Sequence, residues 1–121
     1  IGWMNWVKNG ETAGTVGQAK RIEAIQIKLE PVTNNISVSY KVHVQDIGWM
    51  NWVKNGEIAG TTGKSKRIEA IQIKLNSSLG KNVKYRVHVQ DIGWTNWVKN
   101  GEIAGTVGKS KRIEAIEIKI E

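Results

Sequence analysis

From residue 40 to residue 45 apolar and polar side chains alternate, with Tyr40, Val42 and Val44 on one parity and Lys41, His43 and Gln45 on the other. A period of two marks a strand with one buried face. Ile25, Ile27 and Leu29 alternate with Gln26 and Lys28 in the same way, and β-branched residues dominate both stretches, which favours strand over helix. Between two such runs lies Trp52-Val53-Lys54-Asn55-Gly56-Glu57-Ile58. Asn-Gly tolerates the two positive φ angles of a type I′ turn, so a hairpin is predicted there. Ala59-Gly60-Thr61-Thr62-Gly63 reads as an irregular loop with two glycine hinges. Each unit then holds about four strands, two long and two short, and no segment has helical periodicity.

The pattern repeats. Residues 1–10 return as 47–56 and 92–101, residues 21–29 as 67–75 and 112–120, and residues 40–46 as 85–91. The last of these segments has no counterpart before Ile1. The chain is therefore read as a single domain, 1–121, of three units at 1–30 (incomplete), 36–75 and 83–121. The polar stretches between units, which hold the lone Pro31, are too short to separate domains. Three like units predict an all-β, pseudo-threefold body, either a β-prism of three sheets around an axis or a β-trefoil. The incomplete first unit favours the prism. A prism sheet can stand short of a strand or borrow one, whereas a trefoil barrel would stand open along an unpaired edge. Three routes to the missing strand remain open: a cut through the unit, residues upstream, or a second molecule in a strand-exchanged homodimer.

Composition changes the picture in three ways. Six Trp and no Phe demand an explanation for the tryptophans. Lys and Arg number 18 against 11 acids, and the resulting +7 favours acidic partners without choosing among wall polymers, anionic glycans and nucleic acid. The absence of Cys excludes disulfides and thiolate metal sites. No apolar run approaches the ~18 residues of a membrane span. No signal peptide precedes Ile1, so a secreted protein would be represented here by a mature or excised piece.

The string His43-Val44-Gln45-Asp46-Ile47-Gly48-Trp49, followed by Asn55-Gly56, by Ala59-Gly60-Thr61-Thr62-Gly63 and by Arg67-Ile68-Glu69-Ala70-Ile71, resembles the ChW repeat, the clostridial hydrophobic repeat with a characteristic Trp. The resemblance covers nearly the whole chain in three copies. It implies a secreted or cell-surface protein of Gram-positive bacteria, with an attachment or recognition role and no specified ligand. The first unit departs from the pattern. It has no His-x-Gln segment and carries Gln18-Ala19 where the others have Lys64-Ser65 and Lys109-Ser110, so a site that needs those residues occurs twice.

Four sets of residues carry candidate chemistry. Trp3, Trp49 and Trp94 follow glycine and offer flat faces for stacking on sugar rings. With Phe absent, however, this row is expected to fill the interior. Trp6, Trp52 and Trp97 come three residues later, so strict alternation puts them on the opposite face and makes them the leading ligand contacts. His43, Gln45, His88 and Gln90 share the polar strand face, where they either bond sugar hydroxyls or serve the structure. One His per unit builds no metal site, and no nucleophile–base spacing surrounds it. Glu23, Glu69 and Glu114 follow Arg21, Arg67 and Arg112 by two residues and, on a regular strand, face the same way as the isoleucines. An Arg–Glu ion pair at the sheet end is expected, since an isolated buried charge is very costly. Accepting hydrogen bonds from a polyol is the functional alternative, open also to Asp46 and Asp91.

Other functions fare worse. The stretch from Gly60 to Ser65 is no phosphate loop, because that spacing needs Gly where Ile58 stands. The basic runs at 64–67 and 109–112, interleaved with Trp, would suit single-stranded nucleic acid, but a solvated loop is the more ordinary reading and nucleic acid is disfavoured. No carboxylate pair is singled out for glycoside chemistry, so no catalysis and no cofactor is expected. The reading is a lectin-like recognition module for carbohydrate or cell-wall polymer, with a protein-binding adhesive spacer as the alternative.

Overall fold

The computed structural model describes residues 3–7, 10–16, 18, 20–29 and 35–120; Ala19 and the turn at Pro31 lie outside them. Unit one contributes β1 (Thr12–Gly14) and β2 (Ala24–Gln26). Unit two contributes β3 (Ile36–Val44), β4 (Gly48–Trp49), β5 (Val53–Lys54), β6 (Ile58–Gly60) and β7 (Ile68–Ser77). Unit three repeats this as β8 (Val83–Val89), β9 (Gly93–Trp94), β10 (Val98–Lys99), β11 (Ile103–Gly105) and β12 (Ile113–Ile120). No helix occurs among the described residues. A complete unit therefore has five strands rather than four, because the Gly-Trp segment makes two short pieces and part of the supposed glycine loop is strand β6.

The strands form three antiparallel sheets: β11-β7-β3 with β4 and β5 along the outer side of β3, β1-β12-β8 with β9 and β10 along β8, and β2-β6. In every unit one short strand leaves for the preceding sheet. β6 joins β2 of unit one, β11 joins β7 of unit two, and β1 closes the ring on β12 of unit three. Three sheets linked by cyclic exchange make the body prism-like, as the repeat pattern predicted.

The Asn-Gly turn drives the exchange, but not as a hairpin. β5 and β6 belong to different sheets. Of the two turn residues only Gly56 has positive φ, at 83°, which fits a type II rather than a type I′ turn. The turn is clamped onto the preceding unit: Gly56 N–H donates to the Ile27 carbonyl at 2.7 Å, Gln26 Nε2 donates to the Gly56 carbonyl at 3.1 Å, and Asn55 Oδ1 accepts from Leu29 N–H. Gly101, Ile73, Gln72, Asn100 and Leu75 repeat the clamp in unit three. Local residues specify a reversal, and these contacts with the neighbouring unit decide where the next strand goes.

The inner face of β3 and β8 buries Val38, Tyr40, Val42 and Val44, and Val83, Tyr85, Val87 and Val89. Six isoleucines, Ile22, Ile25, Ile68, Ile71, Ile113 and Ile116, meet around a small interior space between the sheets. Within each pair the residues are three apart, which a regular strand would point to opposite sides. A β-bulge resolves this, since the register shifts between Ile68 and Ala70 opposite Val44 and His43, and again between Ile113 and Ala115. The extra residue is Glu69 or Glu114. The bulge turns it outward, which corrects the regular-strand expectation that set these carboxylates beside the isoleucines.

The interior aromatics are tyrosines, not tryptophans. Tyr40 and Tyr85 are fully buried. The Tyr40 hydroxyl accepts from Ile27 N–H at 3.0 Å and donates to the Glu57 carbonyl; the Tyr85 hydroxyl accepts from Ile73 N–H at 3.1 Å and donates to the Glu102 carbonyl. Each phenol thus ties its unit to the one before. Burial raises both phenols above their ordinary 10.0, Tyr85 to about 12. The contribution of Tyr85 to stability is therefore complete below pH 10 and is lost as pH rises through about 12, because the unfolded chain releases its proton first, and the raised Tyr40 phenol acts in the same direction. In an alkaline titration followed by circular dichroism and tyrosinate absorbance, ionisation and unfolding are expected to coincide in that window. Tyrosinate forming at the ordinary value in a folded protein would contradict the buried clamp.

Candidate functional site

On β3 and β8 the residues that alternate with the buried set point outward, and the Gly-Trp segments lie along that outer face. Trp49 stands opposite His43 in register, and Trp94 opposite His88. Between β4 and β5 the chain leaves the ladder, and Met50 and Val53 both pack inward. This irregular step resets the alternation, so Trp49 and Trp52, three apart, lie on the same face. Two expectations are thereby corrected. In units two and three the tryptophans at 49/94 and 52/97 share a face instead of taking opposite ones, and no tryptophan belongs to the buried core, where Tyr, Ile and Val suffice.

The outer face of unit two is a row of alternating rings and cations. The His43 ring meets Trp49 edge-on, with centroids 5.4 Å apart and planes at 83°. Lys41 Nζ stands between the two indoles, 5.1 Å from the Trp49 centroid and 5.0 Å from that of Trp52, and Lys74 Nζ lies 4.4 Å from Trp52. Unit three repeats the arrangement with His88 and Trp94, Arg86 at 4.6 Å from Trp94 and 4.8 Å from Trp97, and Lys119 at 4.5 Å from Trp97. A cation within about 6 Å of an indole face is attracted by the ring quadrupole, so these contacts fix the tryptophans as half-exposed plates.

Under this row lies a buried carboxylate. Glu69, 6% exposed, holds the His43 ring through Nδ1 at 3.0 Å and Arg67 Nε at 3.0 Å. Glu114, also 6% exposed, holds His88 at 3.0 Å and Arg112 at 3.1 Å. The ring nitrogen donates to the carboxylate, which sets the imidazole edge against the tryptophan. The predicted Arg–Glu pair is thus present, with a histidine as third member. Gln45 and Gln90 do not join the indoles; their Oε1 atoms lie 3.4 and 3.3 Å from the backbone N–H of Arg67 and Arg112. Asp46 and Asp91 accept from Lys66 and Lys111 at 3.2 Å on the surface. Besides Arg86 in the place of Lys41, the two faces differ at the neighbouring strand position, Glu117 in the place of Gln72. Glu117 accepts from the Thr12 hydroxyl at 2.6 Å and from Arg86 at 2.6 Å, and these bonds, Thr12's first, hold it below the usual carboxylate range. Its counterpart Gln72 is neutral, so Lys41 keeps more of its field than Arg86 does.

Unit one carries only part of this site. Trp6 rests on Lys28 at 4.3 Å and Glu23 bonds Arg21 at 2.8 Å, but Trp3 and Trp6 are 54% and 56% exposed, and both histidines of the chain belong to the other units. Among the described residues no group of three His, Cys, Asp or Glu is placed to hold a metal, and no helix is long and apolar enough to cross a membrane. A shallow surface depression at the 77–82 turn beside Asn35 and Ser37 contains none of the candidates.

Sequence reasoning missed the cations of the row, Lys41, Lys74, Arg86 and Lys119. Their signal was available. Lys41 and Arg86 share the parity of His43 and His88, and Lys74 and Lys119 recur at the same place in the Ile-Lys-Leu or Ile-Lys-Ile run. Only the broken alternation at 50–52, which brings both indoles to that face, was hidden.

No curated protein and no solved structure matches the chain. A family model does match, Clostridial hydrophobic W, at residues 1–31, 43–77 and 88–121, one match per unit. The bulged Arg-x-Glu, the clamped Asn-Gly turn and the outward Gly-Trp segment are therefore features of a chain that belongs to the ChW family, as a module of three of its repeats.

Proposed function

We propose that this repeat module is a non-catalytic recognition domain of a secreted or cell-surface protein, and that it binds carbohydrate polymer through the outer faces of units two and three. The observation that carries this reading is the pairing of both tryptophan rows on one face, with a cation between them. An indole held flat by Lys or Arg is a rigid stacking surface for the C–H face of a sugar ring, and its N–H is free to meet a hydroxyl. The interleaved cations add attraction for acidic groups, and the net charge of +7 extends that attraction over the whole surface, which favours an anionic wall polymer over a neutral glycan. Two related faces on one body suit a polymer, because weak single sites gain strongly when one ligand engages both.

The test is a glycan array that includes acidic wall polymers, probed with the purified chain and with the double variant Trp52→Ala/Trp97→Ala. Binding to a defined class is expected, weakened at least about 30-fold in the variant, as a hot-spot loss of about 2 kcal/mol implies. Binding that survived intact would move the contact to Trp49, Trp94 and the histidines. A folded sample that bound nothing would overturn the carbohydrate reading in favour of protein adhesion, for which the exposed apolar group Trp3, Met4, Trp6 and Val7 speaks.

A further inference from the structure

We propose that the two faces read different chemical groups, unit two an anionic residue and unit three an uncharged sugar, so that the polymer that fits the module carries both. This rests on the carbohydrate reading above and adds to it the charge of each ligand residue.

A row of residues crosses each sheet on its outer side. In unit two Lys41 pairs in register with Gln72, and Gln72 with Ile103; in unit three Arg86 pairs with Glu117, and Glu117 with Thr12. Trp52 stands over one end of the first row and Trp97 over the same end of the second. The remaining sheet has Gln26 opposite Ile58, as unit two has, so unit three is the exception at both positions. Gln26 and Gln72 serve the turn clamp, each donating to a glycine carbonyl. A carboxylate has no proton to donate in that way. Glu117 instead accepts from Arg86 through Oε1 and from the Thr12 hydroxyl through Oε2, both at 2.6 Å.

The exchange changes what each tryptophan face offers a ligand. Lys41 and Lys74 contact the indoles and, among the described residues, no carboxylate. An acidic group stacked beside Trp52 therefore meets two ammonium charges that no neighbouring acid takes up. In unit three the Thr12 bond first, then Arg86 and Lys119, hold Glu117 below the usual carboxylate range, so it is ionised at neutral pH. An acidic group beside Trp97 meets that negative charge, and like charges set across a contact reject a partner. An uncharged sugar meets no such penalty. The Thr12 hydroxyl, its proton committed to Glu117, also presents an acceptor for a sugar hydroxyl, where Ile103, 49% exposed, presents only methyl groups.

The test is an array on which each uronate oligomer is printed beside its methyl ester, and each polyol phosphate oligomer beside the free polyol. The two kinds of pair tell carboxylate from phosphate. Two single-face chains are compared, Trp97→Ala, which keeps unit two, and Trp52→Ala, which keeps unit three. Trp97→Ala is expected to prefer the charged member about tenfold, a preference that fades between about 0.05 M and about 0.5 M salt. Trp52→Ala should prefer the neutral member. Glu117→Gln, added to the Trp52→Ala chain, gives unit three the residue that unit two carries and should turn its preference to the charged member. Gln72→Glu, added to the Trp97→Ala chain, should abolish the preference of unit two. Because that change also removes the bond to Gly101, Lys41→Gln is made beside it and should do the same with the clamp intact. Single-face chains that prefer the same member, or a Glu117→Gln chain that keeps the preference for the neutral one, would overturn this assignment and leave the carbohydrate reading standing. An unaltered chain that binds no glycan on the array would overturn both.

Discussion

Gly105→Ala is expected to cost about 3–5 kcal/mol of folding stability and to lower the melting temperature by roughly 10–20 °C. Two separate terms make up the loss. Gly105 has φ at +103°, a region costly for any residue with a Cβ. Its Cβ would also lie 2.5 Å from the Glu69 carbonyl oxygen and 2.9 Å from the Ala70 Cα, both backbone atoms within a bulged sheet that has little room to yield. The clash falls where β11 crosses from unit three onto unit two, and Thr106 N–H, one residue on, bonds the same Glu69 carbonyl at 3.0 Å. Moving β11 away therefore loses a cross-unit bond as well. Gly80→Ala supplies the comparison, with φ at +73° and nothing within 4 Å of the added carbon, so it carries the backbone term alone, about 1 kcal/mol. Thermal melts of the two variants separate the terms. Equal losses would mean that the crossing is looser than these distances say. Gly60 and Gly14 make the same approach to Glu23 and Glu114, at 2.4 Å each, so all three links of the ring rest on a glycine that sequence alone presents as a loop hinge.

That glycine illustrates what sequence reading could reach. Period-two runs locate the long strands, because one face buried and one face wet leaves a signal in every second residue. Repetition gives the pseudo-threefold body, because like units close most simply around an axis. The short strand after the turn was legible as the second arm of a hairpin, but the partner of β1, β6 and β11 was not, since a three-residue strand pairing with another unit depends on that unit and not on its own propensity. The Asn55-Gly56 turn was located correctly and its consequence was not. A hairpin is the local outcome, but bonds from Ile27, Gln26 and Leu29 carry the chain to the neighbouring sheet. At the candidate site, His43 and His88 were placed on the right face by alternation. The tryptophans were misplaced because alternation was carried through residues 50–52, where the chain leaves the sheet. Glu69 was misplaced for the matching reason, a bulge that adds one residue and reverses the side on which its carboxylate lies.

Glu114→Ala is expected to cost about 2–4 kcal/mol, while Glu23→Ala, the same residue type in the same motif, should cost no more than about 1 kcal/mol. The difference lies in surroundings, not in sequence. Glu114 has a side chain 7% exposed and bonds both His88 and Arg112, whose side chains are 16% and 22% exposed. Removing the carboxylate leaves two donors and a charge poorly solvated. Glu23 is 32% exposed and pairs with an Arg21 that is 41% exposed, so water takes over most of what the pair provides. Denaturant melts of the two variants, with His88→Ala and the double variant His88→Ala/Glu114→Ala completing a cycle, measure the coupling directly. A coupling energy near zero would mean that His88 merely adjoins the carboxylate and is not held by it. A coupling of 1–3 kcal/mol would carry a functional consequence. The imidazole that Glu114 orients is the edge against which Trp94 packs at 5.4 Å, so its loss should also free that indole and weaken the polymer binding proposed for unit three. Unit two, with its own Glu69, His43 and Trp49, should bind as before. Stability and recognition then fall together in one unit of a single chain, which ties the buried carboxylate to the stacking surface above it.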